Sequence, residues 1–303
     1  MTDAEQPRFE PSISTPTSRA YSQYDVHNPP PKPTEGNWTR FVCISDTHEH
    51  EFSVPMGDVL LHGGDLTHVG REDGCRNVLR WLSSLPHPHK IIIAGNHDLT
   101  FHDGWYQQHY MGWHAKMEDV QKIKSMFTDE AAKKANITYL EDSSCAVQAR
   151  PGGKTWTVYG SPWQPEFWNW AFNYARGTDA QEIVSKFPKA DILITHGPPF
   201  GVLDQVMAGV NVGCEALAAR LPELRPQLHL FGHIHEAHGL AVQEWEHAEQ
   251  ALSAEKNRVE LSEGVPHTIF ANAAAWPMGK LVREPQEFGS GAFMPIIVDL
   301  RED

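Results

Sequence analysis

The chain has 303 residues, 40% of them hydrophobic, and this predicts a substantial core in one large or two small domains. Its formal net charge of −14 at pH 7 and its pI of about 5.7 argue against broad electrostatic binding to nucleic-acid polymers or anionic membranes. An anionic substrate would therefore need a local positive charge, which bound divalent cations can supply.

Cysteine usage and hydropathy favour a cytoplasmic protein. The four cysteines lie far apart and form no Cys-x-x-Cys pair, so we expect reduced thiols. The first residues lack the basic start and apolar stretch of a secretory signal. No run approaches the roughly 18 apolar residues that span a bilayer, so we expect no membrane association.

Residues 1–37 differ in composition from the rest of the chain. They hold seven of the 22 prolines among Ser, Thr and Gln, with few branched aliphatic residues. Such a segment buries too little apolar surface to offset the entropy of ordering it. We predict a disordered proline-rich tail, with a proline-rich docking peptide as the alternative, and a folded domain over residues 38–303.

From residue 38 onward, short apolar runs alternate with longer amphipathic ones, the pattern of an α/β protein. The short branched runs predict strands at residues 40–45, 59–62, 90–94, 191–195 and 228–231. Helical spacing of apolar residues predicts helices at residues 75–85, 117–135 and 179–187.

Further strand-like runs are numerous enough to predict a second sheet. They lie at residues 137–140, 145–148, 155–159, 267–271 and 294–300. The Glu-rich segment 243–264 interrupts this pattern, and we predict a polar, partly helical surface insertion without a role in chemistry.

Metal-competent side chains follow five of the predicted strands within one to three residues. Because ligands bind at the carboxyl ends of strands in open α/β sheets, these segments are expected to converge. Each motif alone is more often without function, but the fivefold repetition predicts one metal site. The segments are Asp46-Thr47-His48, Gly63-Gly64-Asp65, Gly95-Asn96-His97-Asp98, His196-Gly197-Pro198-Pro199 and Gly232-His233-Ile234-His235.

The ligand types indicate an open catalytic centre. Imidazoles, carboxylates and an amide oxygen, without a thiolate, suit Mn, Fe, Zn or Co better than they suit a closed structural zinc site. Glycines before three of the ligands permit tight turns and close backbone approach. Seven groups are too many for one ion. They are Asp46, His48, Asp65, Asn96, His196, His233 and His235.

These motifs resemble the calcineurin-like metallophosphoesterase superfamily, whose pattern is D-x-H, G-D, G-N-H-[D/E], H and G-H-x-H in that order. Residues 39–299 more specifically resemble the metallophosphoesterase domain-containing, UPF0046-like proteins known from vertebrate brain. The matching stretches are TRFVCISDTH, GDVLLHGGDLT, IIIAGNHDLTF, GSPWQPEFWNWAFN, ILITHGPPFGVLD, NVGCEAL and LHLFGHIHEAHG.

The resemblance implies a sandwich of two mixed β-sheets flanked by helices, with two metal ions, manganese first among them, at the carboxyl ends of strands. It places Asp46, His48 and His235 on one ion, and Asn96, His196 and His233 on the other. Asp65 bridges them. One vertebrate relative carries glycine at the position of His233, so the histidine here implies a complete site.

The implied reaction is hydrolysis of small phosphodiesters, including cyclic nucleotides, by a metal-bridging hydroxide. His97 would bind substrate together with Asn96 and stabilise the transition state or protonate the leaving oxygen, with a structural histidine as the alternative. Asp98 is a further candidate, as a residue that orients groups of the site from outside the ligand set. The aromatic residues between 163 and 172 either stack a nucleobase or pack in the core.

Two other functions fit the same motifs. One is a protein or monoester phosphatase, although the chain lacks the longer G-D-x-V-D-R-G signature because Leu66-Thr67-His68 follow Asp65. The other is a metal- and nucleotide-binding regulatory protein with marginal catalysis. The sequence identifies no protein partner.

Overall fold

The computed structural model describes residues 10–245, 253–254, 259–260, 264–282 and 286–303. The strands are β1 (Ile13–Ser14), β2 (Ser18–Tyr21), β3 (Trp38–Ile44), β4 (Val59–His62), β5 (His89–Ile92), β6 (Ile137–Tyr139), β7 (Ser143–Gln148), β8 (Thr155–Ser161), β9 (Gln164–Pro165), β10 (Asn173–Tyr174), β11 (Ile192–Thr195), β12 (Leu228–Phe231), β13 (Gly239–Glu244), β14 (Ser253–Ala254), β15 (Val259–Glu260), β16 (His267–Asn272) and β17 (Ile296–Arg301). The helices are α1 (Glu72–Ser84), α2 (Asp103–His109), α3 (Val120–Met126), α4 (Glu130–Lys134), α5 (Thr178–Val184) and α6 (Glu215–Leu224).

Two large mixed sheets form the centre of the fold. The first has the strand order β15-β1-β2-β17-β3-β4-β5-β6, in which β3 to β6 are parallel and β17 is antiparallel to both neighbours. The second has the order β14-β13-β16-β12-β11-β8-β7, with β8, β11, β12 and β16 parallel. The predicted α/β sandwich of two mixed sheets flanked by helices is confirmed.

The buried apolar residues form three layers, one between the sheets and one on the outer face of each sheet. Between the sheets, Phe41 packs edge-on against Trp156 with ring centroids 5.4 Å apart, beside side chains such as Leu61 and Ile194. Helices α1 and α3 cover the outer face of the first sheet, and α5 and α6 cover that of the second. Because both faces are covered, β3, β4, β11 and β12 are buried along their whole length, as expected of parallel strands.

The predicted tail over residues 1–37 is wrong where the structure describes it. Strands β1 and β2 belong to the first sheet, and β2 pairs with β17. Hydrogen bonds hold the following segment, from Arg40 to the Pro30 carbonyl (2.7 Å) and from the Tyr24 hydroxyl to the Pro295 carbonyl (2.5 Å). The folded domain therefore begins before Trp38, because strand pairing, polar contacts and the burial of Ile13, Ala20 and Tyr21 hold the segment. Residues 1–9 lie outside the described residues.

The predicted insertion 243–264 lies largely outside the described residues. Its described parts are extended. Gln243 and Glu244 complete β13, and the short strands β14 and β15 join the edges of the second and first sheets. The expected helical character is therefore wrong for these parts of the segment.

Helix boundaries differ more from expectation than strand boundaries do. The predicted helix over residues 117–135 is two helices, because Asp129 accepts hydrogen bonds from the amides of Ala131 and Ala132 and starts α4. Helices α2 and α6 were not predicted. None of the helices in the described ranges combines the length and apolarity that a bilayer crossing requires.

Candidate metal centre

The loops after β3, β4, β5, β11 and β12 meet at one edge of the sandwich. Parallel pairing brings β3, β4 and β5 together in the first sheet, and β11 and β12 in the second. The Asp46 amide donates to the Gly64 carbonyl (2.9 Å), and the His48 amide donates to the Asp65 carbonyl (3.1 Å). The Ala275 amide joins the second sheet to the first by donating to the Ser45 carbonyl (2.8 Å). All seven predicted ligands therefore lie on neighbouring loops.

Four of these residues have left-handed backbone. The φ angles are +53° at Asp46, +43° at His48, +53° at Asp65 and +66° at His233. Positive φ costs a non-glycine residue free energy, and such residues concentrate at functional sites, where the surroundings hold them in place. The predicted turns are thus made partly by the ligand residues themselves.

The preceding glycines act mainly by having no side chain. A Cβ at Gly95 would collide with the carboxylate and backbone nitrogen of Asp65, and one at Gly232 would collide with the carboxylate of Asp46. Of the glycines directly before a ligand, Gly64 has positive φ (+99°). A Cβ at Gly64 would also collide with the Ala94 carbonyl and His196, so close approach explains all three glycines and positive φ adds to it at one of them.

One group of ligands is formed by Asp46, His48, Asp65 and His235. One ligand atom from each lies within 4.8 Å of the others. His235 Nε2 lies 3.0 Å from Asp46 Oδ1, and the buried His48 Nε2 lies 3.7 Å from Asp65 Oδ2. This nitrogen has no hydrogen-bond partner among the described residues. A buried unpaired imidazole nitrogen facing two carboxylates fits a divalent cation, whose bonds to such ligands are about 2.0–2.2 Å.

A second group forms around Asn96, His196 and His233. His196 Nε2 lies 2.8 Å from Asn96 Oδ1 and 3.4 Å from Asp65 Oδ1, while its Nδ1 meets the Gly63 carbonyl at 2.9 Å. The rings of His196 and His233 are 5.1 Å apart. Asp65 thus contacts residues of both groups, as a bridging ligand would.

The electrostatics of the site favour metal binding by His48, His233 and Asp46, whereas His196 would have to release a proton first. Burial lowers the pKa of His48 and that of His233 to about 3, so both imidazoles are in the neutral form that binds metals. Burial opposes ionisation of Asp46, but the hydrogen bond and charge of His235 outweigh it and lower the pKa of this carboxyl. Burial likewise opposes protonation of His196, yet Asp65 raises the pKa of this imidazole to about 9.

His97 borders the cluster without joining it. Its amide donates to Asp65 Oδ1 (2.8 Å), and its Nδ1 lies 2.8 Å from the His68 carbonyl. A donor Nδ1 in this contact leaves Nε2 as the acceptor in the neutral ring. Trp170 stacks on the ring with centroids 3.8 Å apart. The carbonyl and the indole therefore fix the orientation of His97.

Asp98 forms hydrogen bonds with two loops of the site. Its carboxylate accepts hydrogen bonds from the amides of Leu66 (3.0 Å), Thr67 (2.8 Å) and Gly95 (2.9 Å) and from the Thr67 hydroxyl (2.8 Å). Burial and the charge of Asp65 raise the pKa of Asp98 to about 7 against these four hydrogen bonds. Asp98 therefore clamps the Asp65 loop to the loop of Gly95, and the His68 carbonyl makes the contact with His97.

Trp276 is a neighbour of the site that sequence reasoning missed. Its ring stacks on His235, with centroids 5.5 Å apart and planes 14° apart, and meets the edge of His48 at 4.6 Å. The residue follows β16, whose carboxyl end lies beside that of β12. Trp276 lies beyond the one to three residues covered by the strand-end rule and has no metal-binding atom, so this rule could not have found it.

The aromatic residues between 163 and 172 divide by position. Phe172 is buried. Trp163 is half-buried and packs against the apolar layers between the sheets and the helices that cover them. Trp170 supports His97, whereas Phe167 is 46% exposed and presents an edge to His233 at 5.5 Å. The segment therefore contains residues of the core as well as residues at the mouth of the candidate metal centre.

The fold and the clustered ligands define an α/β protein with a candidate metal centre between two sheets. A model of the calcineurin-like phosphoesterases matches residues 25–237. The chain belongs to this family, whose activity is hydrolysis of phosphoesters. The match starts inside the segment that composition assigns to a tail.

Several known proteins are similar to this chain. The human metallophosphoesterase domain-containing protein 1 is 41% identical over 223 residues, covering 69% of this chain and 64% of its own length. The chain thus spans less than two thirds of this relative. A UPF0046 protein of Caenorhabditis elegans is 36% identical over 219 residues, covering 68% of this chain and 54% of that protein. A probable rhamnogalacturonate lyase C of Emericella nidulans is 38% identical over 226 residues, covering 74% of this chain but 20% of that protein.

Proposed function

We propose that this protein is a metal-dependent phosphodiesterase that hydrolyses small phosphodiesters, including cyclic nucleotides. One observation carries the proposal. The buried Nε2 of His48 is unpaired among the described residues and lies with Asp46, Asp65 and His235 in a group of four ligand atoms. Family membership supplies the phosphoryl chemistry.

We assign the seven predicted ligands to two metal ions. Asp46, His48 and His235 would hold the first, and Asn96, His196 and His233 the second, with Asp65 shared. Manganese is our first choice, with iron, zinc and cobalt also suited to these donors. Bound cations would supply an activated water nucleophile and neutralise charge on the phosphoryl oxygens.

The residues next to the ligands would act on substrate. The imidazole of His97, held by the His68 carbonyl and Trp170, would contact a phosphoryl oxygen beside Asn96 or, with a proton on Nε2, pass that proton to the leaving oxygen. Asp98 acts through the Asp65 loop and is a positioning residue.

Metal analysis combined with a substrate panel tests the proposal. We expect two metal ions per chain after loading with Mn²⁺, and turnover of a chromogenic diester and of at least one cyclic nucleotide. Nucleotide monoesters and a phosphopeptide should react more slowly. Tight nucleotide binding without turnover would instead indicate a regulatory protein, and preferred hydrolysis of the phosphopeptide would indicate a protein phosphatase.

Replacing His97 by alanine separates metal binding from catalysis. H97A should keep both metal ions, because the imidazole is not a ligand, and should lose about 10²–10⁴-fold in kcat through the missing hydrogen bond or proton transfer. Metal content by elemental analysis and steady-state kinetics measure the two effects. His109→Ala is the matched control, since that ring lies on α2 against Trp105. Unchanged kcat in H97A would remove His97 from the mechanism.

A further inference from the structure

A cavity of about 340 Å³ opens beside the candidate metal centre, on the side of His233 and His235. This volume is within the range of small-molecule sites. Apolar side chains make most of its wall, from the β9–β10 segment, the loop after β11, the end of β12 and the segment after β16. They are Phe167, Pro198, Val206, Val212, Ile234 and Met278.

Two asparagines hold the walls of this cavity in place. Asn173 donates from Nδ2 to the carbonyls of Phe167 (3.3 Å) and Trp168 (2.9 Å), which fixes the wall that carries Phe167. Asn272 donates to the carbonyls of Leu203 (3.1 Å) and Ile234 (2.9 Å), which joins the loop after β11 to the end of β12. The cavity is therefore formed before any ligand enters, and binding need not order its walls.

The charged side chains at the cavity do not favour a second anionic group. Glu166 and Glu236 both line it, and the one cation among its lining residues is Arg176. Nη1 of Arg176 already donates to the Gly213 carbonyl (2.7 Å) and to Glu215 (2.7 Å), and its Nη2 donates to the Val212 carbonyl. A second phosphate would meet two carboxylates and a guanidinium of which three of the five N–H donors are already engaged.

We infer that this cavity is a specificity subsite that takes an uncharged apolar ester group, aromatic or alkyl, of the phosphodiester whose phosphoryl group binds at the metal centre. The inference rests on the proposed function for the position of the phosphoryl group. His233 and His235 belong both to the proposed ligand set and to the cavity wall, so one molecule can reach both. The carboxylates of Glu166 and Glu236 in the cavity wall disfavour nucleoside di- and triphosphates, because the additional phosphate groups are anionic.

Binding of two phosphonates to the Mn²⁺-loaded protein tests the subsite without turnover. Phenylphosphonate and methylphosphonate each carry one phosphoryl group and have a P–C bond that hydrolysis does not cleave. By calorimetry we expect phenylphosphonate to bind at least about tenfold more tightly, because the phenyl group buries its surface in the cavity. Parallel kinetics compare phenyl and methyl esters of 4-nitrophenyl phosphate, which share a leaving group.

Neighbouring residues provide a matched pair of variants. Val206 lines the cavity, whereas Met207, the next residue, is 55% exposed and does not line it. V206N should reduce the phenyl-to-methyl preference several-fold, and M207N should leave this preference as in the wild type. M278Q, at a residue 41% exposed, gives a second test if V206N folds poorly.

The outcomes separate the two proposals. Equal binding of the two phosphonates, or equal loss of preference in V206N and M207N, overturns the subsite whatever the turnover. Tighter binding of phenylphosphonate with no hydrolysis of either diester supports the subsite and overturns the phosphodiesterase. Hydrolysis of both diesters without preference retains the enzyme and overturns the subsite.

Discussion

Replacing Asp65 by asparagine should reduce kcat/KM by about a thousandfold or more, equivalent to about 4 kcal/mol. Asp65 is buried, lies 3.7 Å from His48 and 3.4 Å from His196, and accepts the amide of His97 at 2.8 Å. Loss of the negative charge would affect both proposed ions at once. Metal content should therefore fall below two ions per chain together with turnover.

Asp179→Asn is the matched control for this variant. This substitution makes the same change in charge at an exposed position in the first turn of α5, a helix that contains no predicted ligand. D179N should keep metal content and kcat/KM within about twofold. If D65N retained two ions and wild-type turnover, the bridging role would be wrong.

Replacing Arg40 by alanine should lower the free energy of unfolding by about 3–5 kcal/mol, because it leaves a buried carboxylate without its partner. Arg40 donates two hydrogen bonds of 2.7 Å to Asp299, between adjacent strands β3 and β17, and a third to Pro30. Side-chain exposure is 6% for Arg40 and 0% for Asp299. Denaturant unfolding monitored by circular dichroism measures the loss.

The loss in free energy of unfolding caused by R40A should depend on pH. Burial raises the pKa of Asp299, and Arg40 opposes this rise, so the variant carboxyl should have a still higher pKa. A raised folded pKa means that the ionised form is disfavoured in the fold, so stability falls as pH rises above the carboxyl's ordinary value of about 4. The loss should be larger at pH 8 than at pH 5. Arg301→Ala, which breaks the exposed pair with Asp303, should cost under about 1 kcal/mol, and equal losses in both variants would contradict the prediction.

The strands that position the site could be predicted from short-range pattern. The runs at residues 59–62 and 228–231 coincide with β4 and β12, because buried parallel strands are continuous apolar runs. Strands β1 and β2 could not be predicted in this way. β17, the partner of β2, lies about 280 residues away, and β2 buries few large apolar side chains, so pairing supplies what composition lacks.

Helix α6 could have been predicted and was missed. Leu217, Leu221 and Leu224 are buried at helical spacing, and Cys214 caps the start by accepting the Leu217 amide. Pro222 conceals this pattern because proline usually ends a helix, although here it lies in the last turn. A residue type that usually ends helices thus conceals a leucine spacing that correctly indicates one.

For the site, the sequence predicted which residues meet but not what supports them. The strand-end rule collected the seven ligands, since residue type and position both follow from the chain. The contacts of His97 with the His68 carbonyl and Trp170, and of Trp276 with His235, depend on loops from distant segments. Local spacing contains no information about such contacts.

The place of β17 between β2 and β3 has a consequence for how the molecule is made on the ribosome. Residues 296–301 are synthesised after every other strand, yet they join the amino-terminal pair to the strand that leads to Asp46 and His48. Until they emerge, the first sheet has a gap beside β3, and the exposed edges are open to wrong pairing. Pairing over so large a sequence separation is also slow, so the candidate metal centre should be completed only after translation has passed residue 301.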